Sequence, residues 1–236
     1  MYSETAVSLP LLRNETKVSF VPKNTEIGVK IIFMSHIVHL SKDKKLQKLL
    51  PAETPYTLTR RKNVHLYLCN SIMSQQLSTK VADVFQKRFL GLYSGKNPTA
   101  EQIAATPFET LRSIGLSNAK ANYVLNVSNF FITEKITDAH LYKMSNEELI
   151  KYLTQIKGVG QWTVEMILMF TLGREDIFAV DDLGIQQAMC KLYKIDATDK
   201  KAMKEKMLQI SKKWSPYRTY ACRYLWGWKD NVSDAG

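Results

Sequence analysis

Two adjacent aspartates form the pattern in this chain with the clearest chemical potential. Asp181 and Asp182 follow the apolar run Phe178–Val180 and precede a helical pattern at Leu183–Tyr193. One aspartate in such a position caps the helix by accepting a bond from a backbone N–H. The other carboxylate then faces whatever binds there, and it can stabilise a positive charge that develops during a reaction. The pair therefore predicts one helix cap and one candidate catalytic acid.

A glycine hairpin lies shortly before these aspartates. Ser145 and Glu148 have the spacing of a capping box and start a helix that Gly158–Gly160 ends. The next helix, Trp162–Leu172, is apolar except for Glu165, which predicts that it is buried. Its first backbone N–H groups form a candidate anion site that holds a DNA phosphate without reading bases. A plain turn is the alternative interpretation of the glycines alone.

The overall charge favours a polyanionic partner. The 236 residues carry a net charge of +11, with 45% hydrophobic and 23% charged residues, so a packed core and a basic surface are both expected. Three widely spaced cysteines match no zinc or iron–sulfur spacing and are interpreted as buried thiols of an intracellular protein. The apolar run Ile27–Leu40 contains Lys30 and is too short to cross a bilayer. The charge is thus consistent with a nucleic-acid partner or with a merely soluble basic surface, and no membrane span is predicted.

The elements that position these groups are predicted to be helices. Apolar residues recur at helical spacing and alternating patterns are rare, which is typical of an all-α protein. A tight turn at Gln75–Leu77 separates two helices. Thr99 and Gln102 repeat the capping-box spacing. Lys120 is interpreted as a surface residue. Residues 1–26 hold at most a short extended segment. The other predicted helices are Ile31–Leu50, two within Asn63–Leu90, Thr99–Ile114, Ser117–Thr133 and Ala197–Lys213.

Two of these motifs together resemble a known family. The segment IKGVGQWT, followed about twenty residues later by VDDLGIQ, is similar to the helix-hairpin-helix (HhH-GPD) DNA glycosylase superfamily. Within it the chain most resembles the 3-methyladenine DNA glycosylase II family, from about His65 to Trp228. The resemblance implies a fold of two helical lobes, here without the N-terminal β-rich domain that members often carry. It divides the chain into three parts. Residues 1–62 are an N-terminal segment and helix that pack with the C-terminal lobe. Residues 63–180 are a helical barrel with the hairpin at about 146–172, and residues 181–236 are C-terminal helices that complete the second lobe.

The resemblance also assigns roles to individual residues. The second aspartate is the catalytic one, which carries over to Asp182. SQQLS resembles the loop that fills the gap left by the extruded base, so Gln76 aligns with the wedge, although an amide departs from the apolar wedge of some relatives. The expected base pocket contains Trp162, Trp226 and Tyr220. The expected DNA contacts are Gly158, Val159, Gly160, Gln161, Thr163 and Gln76.

Cofactor expectations follow from the same resemblance. The carbonyl groups of Thr154, Ile156 and Gly158 are expected to hold a monovalent cation, Na⁺ or K⁺. The four-cysteine iron–sulfur loop of some relatives is missing from this sequence, so no cluster is expected. Bifunctional relatives place a lysine two residues after the second hairpin glycine, where this chain has Trp162. An intact abasic site is therefore the expected product.

The implied function is hydrolysis of the N-glycosidic bond of alkylated purines, of the 3-methyladenine and 7-methylguanine type. The protein is expected to be an intracellular monomer that acts on double-stranded DNA. A cationic base is a good leaving group, so a general acid is not required. This agrees with the positions of the four histidines, which all precede the hairpin in sequence and are expected to lie away from the site. The alternatives are an adenine or mismatch glycosylase of the same superfamily and a non-catalytic helix-hairpin-helix DNA-binding module.

Overall fold

The computed structural model describes residues 35–51 and 56–233, apart from the side chains of Thr79 and of residues 230–233. Its described residues form helices and contain no strand, which confirms the predicted all-α class. The expected extended segment in residues 1–26 lies outside the described residues. The helices are α1 (35–40), α2 (Val64–Ser74), α3 (Thr79–Gly91), α4 (Ala100–Ala104), α5 (Phe108–Ser113), α6 (Asn118–Thr133), α7 (Asp138–Lys143), α8 (Asn146–Leu153), α9 (Gln161–Phe170), α10 (Leu183–Tyr193), α11 (Lys200–Ser211) and α12 (Arg218–Ser233).

The chain divides into two compact units. Among the described residues, the first unit comprises 59–173 and the second comprises 35–51, 56–58 and 174–233. In the first unit α6 packs against α2 and α4, and α9 packs against α2 and α8. In the second unit α10 packs against α11 and α12. The predicted burial of α9 is confirmed, because Thr163 through Phe170 are all buried.

Capping residues begin several helices where the sequence predicts them. Ser145 and Glu148 form a reciprocal capping box at the start of α8, and Thr99 and Gln102 form a second one at the start of α4. Each box satisfies two backbone N–H groups that would otherwise have no partner inside the helix. These short helices are therefore stabilised locally, before any tertiary contact is made.

Two predicted helices are wrong in extent. The helix predicted over Thr99–Ile114 is two helices, because Pro107 lacks a backbone N–H and disfavours helical geometry in the residue before it. The helix predicted over Ile31–Leu50 ends at residue 40 within its described part, and a 3₁₀ turn, Leu46–Leu49, follows. Asp43 lies between α1 and this turn, and its side chain accepts the N–H groups of Lys45 and Leu46 at the start of the turn.

No helix in the described part of the chain combines the length and the apolar character that a membrane span requires.

Candidate active site and nucleic-acid interface

The side chain of Asp182 caps the first turn of α10. The backbone of Asp182 is extended, with φ −73° and ψ 122°, and its Oδ1 accepts the N–H of Ile185 at 2.9 Å. This is the geometry of an N-cap, in which a short carboxylate replaces the missing intrahelical acceptor. Asp182 is only 2% exposed. The local fold therefore holds a buried carboxylate at the positive end of a helix dipole.

A second donor fixes the same oxygen. The indole Nε1–H of Trp226, on α12, donates to Asp182 Oδ1 at 2.7 Å. Gly184 makes this approach possible, since an added Cβ would lie 3.1 Å from Asp182 Oδ1 and 3.1 Å from Trp226 Cδ1. Two N–H donors on one carboxylate oxygen restrict its rotation. The site is thus an oriented carboxylate whose surroundings are shaped by Trp226 and Gly184.

The division of roles predicted for the two aspartates is wrong for Asp181. The side chain of Asp181 is exposed and pairs with Lys204 Nζ at 2.6 Å, with 47% of the Asp181 side chain accessible. Asp182 is both the cap and the candidate catalytic carboxylate. The sequence pattern could not separate the two, because either aspartate precedes the helix closely enough to cap it.

The predicted pocket residues of the second unit are engaged in packing and hydrogen bonds. Trp226 is 2% exposed, with its ring edge directed at Asp182. Tyr220 is 7% exposed, and its hydroxyl donates to Glu175 Oε1 at 3.0 Å. Tyr220 and Trp226 both belong to α12, whereas Trp162 belongs to the first unit.

The expectation that histidines lie away from these residues is wrong. The His36 ring stacks on Tyr220 with centroids 3.9 Å apart and planes within 10°. Its Nε2 lies 3.0 Å from the hydroxyl of Tyr224, although the two residues are 188 positions apart. Burial lowers the pKa of His36 to about 4, so the ring is neutral at pH 7. Position in sequence gave no signal of this contact, because only the packing of α1 on α12 creates it.

The hairpin of the first unit has two glycines with different roles. Gly158 has φ +103°, and an added Cβ would lie 2.1 Å from the ring of Tyr123. Gly160 has φ −93° and open space around its Cβ position. Val159 is buried, and its N–H donates to the carbonyl of Ile156 at 2.9 Å. Gly158 therefore allows the turn to close, whereas Gly160 leaves the start of α9 open.

The first turn of α9 contains the residues expected to contact a phosphate. Gly160 is its N-cap and has no side chain that could satisfy the following N–H groups. Gln161 is exposed and donates from Nε2 to Glu165 at 2.9 Å, and Trp162 is half-buried. Thr163 is buried, and its hydroxyl accepts from Gln75, so only its backbone N–H suits a phosphate contact. This end of α9 is open to an anion at Gly160 and Gln161.

The carbonyl groups expected to hold a cation fit that role by their chemistry. Three neutral oxygens suit a hard monovalent ion better than a transition metal. The carbonyl of Ile156 already accepts one hydrogen bond and retains a second lone pair. Thr154 ends α8 and Gly158 forms the turn, so the three carbonyls lie within one short hairpin. Within residues 35–51 and 56–233, no three His, Cys, Asp or Glu side chains converge as metal ligands.

The loop between α2 and α3 exposes Gln76 at its tip. Gln76 has φ +59°, a left-handed conformation that is uncommon outside glycine. Lys120, interpreted from the sequence as a surface residue, is half-buried and donates to the carbonyls of Met73 and Gln75 at 2.8 and 2.7 Å. The surface interpretation of Lys120 is wrong, because its ammonium ends the helix before this loop.

The chain is similar to known proteins in both sequence and fold. A family profile described as "HhH-GPD superfamily base excision DNA repair protein" matches residues 69–215. The chain is 37% identical over 185 residues to DNA-3-methyladenine glycosylase 1 of Schizosaccharomyces pombe, covering 78% of this chain and 80% of that protein. It is similar, with a TM-score of 0.71 and 35% identity, to the S. pombe 3-methyladenine DNA glycosylase solved with abasic DNA, covering 81% of this chain and 94% of that one. A DNA-3-methyladenine glycosidase from Bacillus halodurans gives a TM-score of 0.71 and 32% identity over 83% of this chain and 89% of that one.

Proposed function

Since the chain belongs to the HhH-GPD superfamily of base excision DNA repair proteins, we propose that it is a monofunctional DNA glycosylase that hydrolyses the N-glycosidic bond of alkylated purines. The family predicted from IKGVGQWT and VDDLGIQ is confirmed. The observation that carries the proposal is the buried Asp182 carboxylate held by two N–H donors. Capping α10 requires only the bond from Ile185, whereas the second donor, Trp226, holds the carboxylate in a fixed orientation that suits a catalytic role.

The proposed reaction begins with extrusion of the damaged base. A base inside the duplex stack is inaccessible, so it must flip into a pocket before its bond to the sugar can break. Alkylation of a purine ring nitrogen makes the base cationic. Aromatic side chains favour such a base by about 0.5–2 kcal/mol. Tyr220 and Trp226, both on α12 of the second unit, are the aromatic residues that we assign to this pocket.

The role proposed for Asp182 is electrostatic. Departure of the base leaves an oxocarbenium-like sugar, as in other glycoside hydrolysis. A carboxylate already fixed by Ile185 and Trp226 stabilises that cation without first reorganising. The same group orients or deprotonates the attacking water. The leaving base is already cationic, so no side chain has to protonate it.

The expected product is an intact abasic site. A lysine amine two residues after the second hairpin glycine would form a Schiff base with the sugar and lead to strand cleavage. This chain has Trp162 there, and an indole cannot form that adduct. Strand cleavage should therefore require alkali, and borohydride should trap no covalent complex.

The proposed substrate is double-stranded DNA inside the cell, bound by a monomer. The open start of α9 at Gly160 and Gln161 suits a phosphate, and the wedge role of Gln76 suits a duplex with a missing base. A monovalent cation on the carbonyls of Thr154, Ile156 and Gly158 would neutralise part of the phosphate charge. No iron–sulfur cluster is proposed. The similarity to a protein named DNA-3-methyladenine glycosylase favours alkylated purines over adenine mispairs.

The experiment is single-turnover release of 3-methyladenine and 7-methylguanine from methylated duplex DNA. Asp182→Asn keeps an oxygen that accepts from Ile185 and Trp226, so melting should change little. Excision should fall by at least about a hundredfold because the charge is gone. Asp181→Asn is the matched control, since that exposed side chain pairs with Lys204 and should leave excision nearly unchanged. Full activity of Asp182→Asn would exclude the proposed mechanism.

A further inference from the structure

We infer that Lys120 and Gln75 are positioning residues that hold the Gln76 loop against the first turn of α9, so that base extrusion and phosphate binding use one rigid surface. The inference rests on the proposed function, since it assumes that Gln76 enters the DNA. Both residues lie in the first unit, as do the loop and α9.

The ammonium of Lys120 stabilises the strained end of the loop. It donates to the carbonyl of Met73 at 2.8 Å and to that of Gln75 at 2.7 Å. These carbonyls belong to the end of α2, where the last carbonyls have no intrahelical partner and carry the negative end of the helix dipole. A cation there stabilises both the helix end and the left-handed Gln76 that follows.

The Gln75 amide connects the loop to the DNA-binding helix. Its Nε2 donates to Thr163 Oγ1 at 3.2 Å, and Thr163 lies in the first turn of α9 with 2% exposure. The loop tip is thus fixed relative to the N–H groups proposed to hold a phosphate. A wedge must enter the stack at a defined distance from the phosphate grip, because a displaced tip cannot fill the gap of the extruded base.

The test compares substrates that differ in the cost of extrusion. A lesion in a paired duplex is costly to flip, whereas a lesion opposite a mismatch is partly open. Lys120→Met keeps the stem of the side chain and removes its donors. We expect single-turnover excision to fall by about tenfold on the paired duplex, the scale of a lost hydrogen bond from a charged donor, and by less than about threefold on the mismatched one. The quantity to compare is the ratio of the excision rate on the paired duplex to that on the mismatched duplex. Gln75→Met should lower this ratio, as Lys120→Met does, without altering any charge.

The matched control is Lys96→Met, which removes the same charge from an exposed loop of the same unit. It should leave the ratio between the two substrates unchanged. Equal losses on both substrates for Lys120→Met and Gln75→Met would overturn the inference, because they would indicate general destabilisation or a plain phosphate contact. Thermal melting of each variant separates these two explanations.

A double-substitution cycle distinguishes failure of the inference from failure of the proposed function. If Lys120 acts through Gln76, Lys120→Met should have no further effect on the ratio in the Gln76→Ala background. If Gln76→Ala shifts the ratio and neither Lys120→Met nor Gln75→Met does, the inference is wrong and the wedge role stands. If Gln76→Ala leaves the ratio unchanged, the wedge role itself is wrong, and the inference falls with it.

Discussion

At the scale of single residues, the candidate site depends on one oxygen atom that has two roles. Asp182 Oδ1 accepts from Ile185 to start α10 and from Trp226 to hold the carboxylate in place. A carboxylate that is also a helix cap is oriented by the fold itself. Because both bonds hold this oxygen in place, the carboxylate proposed to stabilise the oxocarbenium ion does not have to reorganise when the base leaves.

The role of Trp226 can be tested by Trp226→Phe. This change keeps a buried aromatic ring but removes the donor to Asp182, so excision should fall by about tenfold. Trp214→Phe is the matched control, because Trp214 is 1% exposed and donates to Asp43, a carboxylate with no proposed catalytic role. Both variants should melt at lower temperature, because each leaves a cavity. At temperatures below both melting points, the single-turnover excision rate should fall only for Trp226→Phe. If the two variants excise at the same rate, Trp226 does not position the carboxylate.

At the scale of elements, the two glycines of the hairpin differ in what their positions require. Gly158 is needed for the turn, because of its positive φ and the contact with Tyr123. Gly160 meets neither condition, since its φ is ordinary and the space around it is open. Open space at the start of a helix is what a phosphate needs in order to reach the N–H groups.

Alanine at each glycine should therefore give opposite results. Gly158→Ala should lower the melting temperature, since its Cβ would overlap Tyr123 and its backbone would be strained. Gly160→Ala should leave melting unchanged and weaken DNA binding by about tenfold, because the new methyl group enters the phosphate site. Melting curves and DNA titrations of both variants check this. Unchanged DNA affinity for Gly160→Ala would mean that phosphate does not bind at that end of α9.

A buried carboxylate joins distant elements of the second unit. Asp43 accepts from the Tyr193 hydroxyl at 2.6 Å and the Trp214 indole at 3.0 Å, and it pairs with Lys213 at 2.9 Å. Burial alone would raise the pKa of Asp43, but the hydrogen bonds from these three partners outweigh it and lower the pKa to about 2.

This carboxylate should make stability depend on pH in the acid range. The pKa in the folded state lies below the unfolded value of about 3.9, so the stabilisation is complete above that pH and is lost as pH falls toward about 2. Urea unfolding between about pH 2 and pH 6 should show this slope. Asp43→Asn should be less stable at pH 6 and should lose that part of the slope. An identical pH profile for the variant would exclude Asp43 as its source.

At the scale of the whole molecule, net charge should affect DNA binding more than it affects cleavage of the glycosidic bond. The net charge of +11 attracts a polyanion at long range, whereas Asp182 is only 2% exposed and acts at short range. Salt screens exposed charges much more than buried ones. Binding and bond cleavage should therefore respond differently to ionic strength.

Raising salt from about 50 to about 200 mM should weaken DNA binding by roughly a hundredfold or more, since each phosphate contact releases a counterion. The single-turnover excision rate at saturating enzyme should change by less than about threefold over the same range, because the Asp182 site is shielded. Titrations by fluorescence anisotropy and rapid-quench assays measure the two quantities. A flat binding response would contradict a phosphate-dominated interface.

The sequence by itself determined the helical class, the hairpin and the family. These rest on local signals: apolar spacing, the capping boxes at Ser145 and Thr99, and two short motifs. Each signal acts within a few residues, so it can be read without knowing the fold. The extent of single helices was predicted less well, as Pro107 shows, because its ring and missing N–H divide the helix predicted over Thr99–Ile114.

Only the tertiary structure decided how the residues are used. It made Asp182 the cap and Asp181 a surface ion pair, and it brought His36 onto Tyr220 and the ammonium of Lys120 under the Gln76 loop. The Asp182 cap is a short-range contact, but the contacts of Asp181, His36 and Lys120 have no periodic or short-range signature. They depend on which helices pack together, and packing joins residues such as His36 and Tyr224 that are 188 positions apart. The spacing of two residues in the sequence does not indicate whether they are in contact in the folded protein.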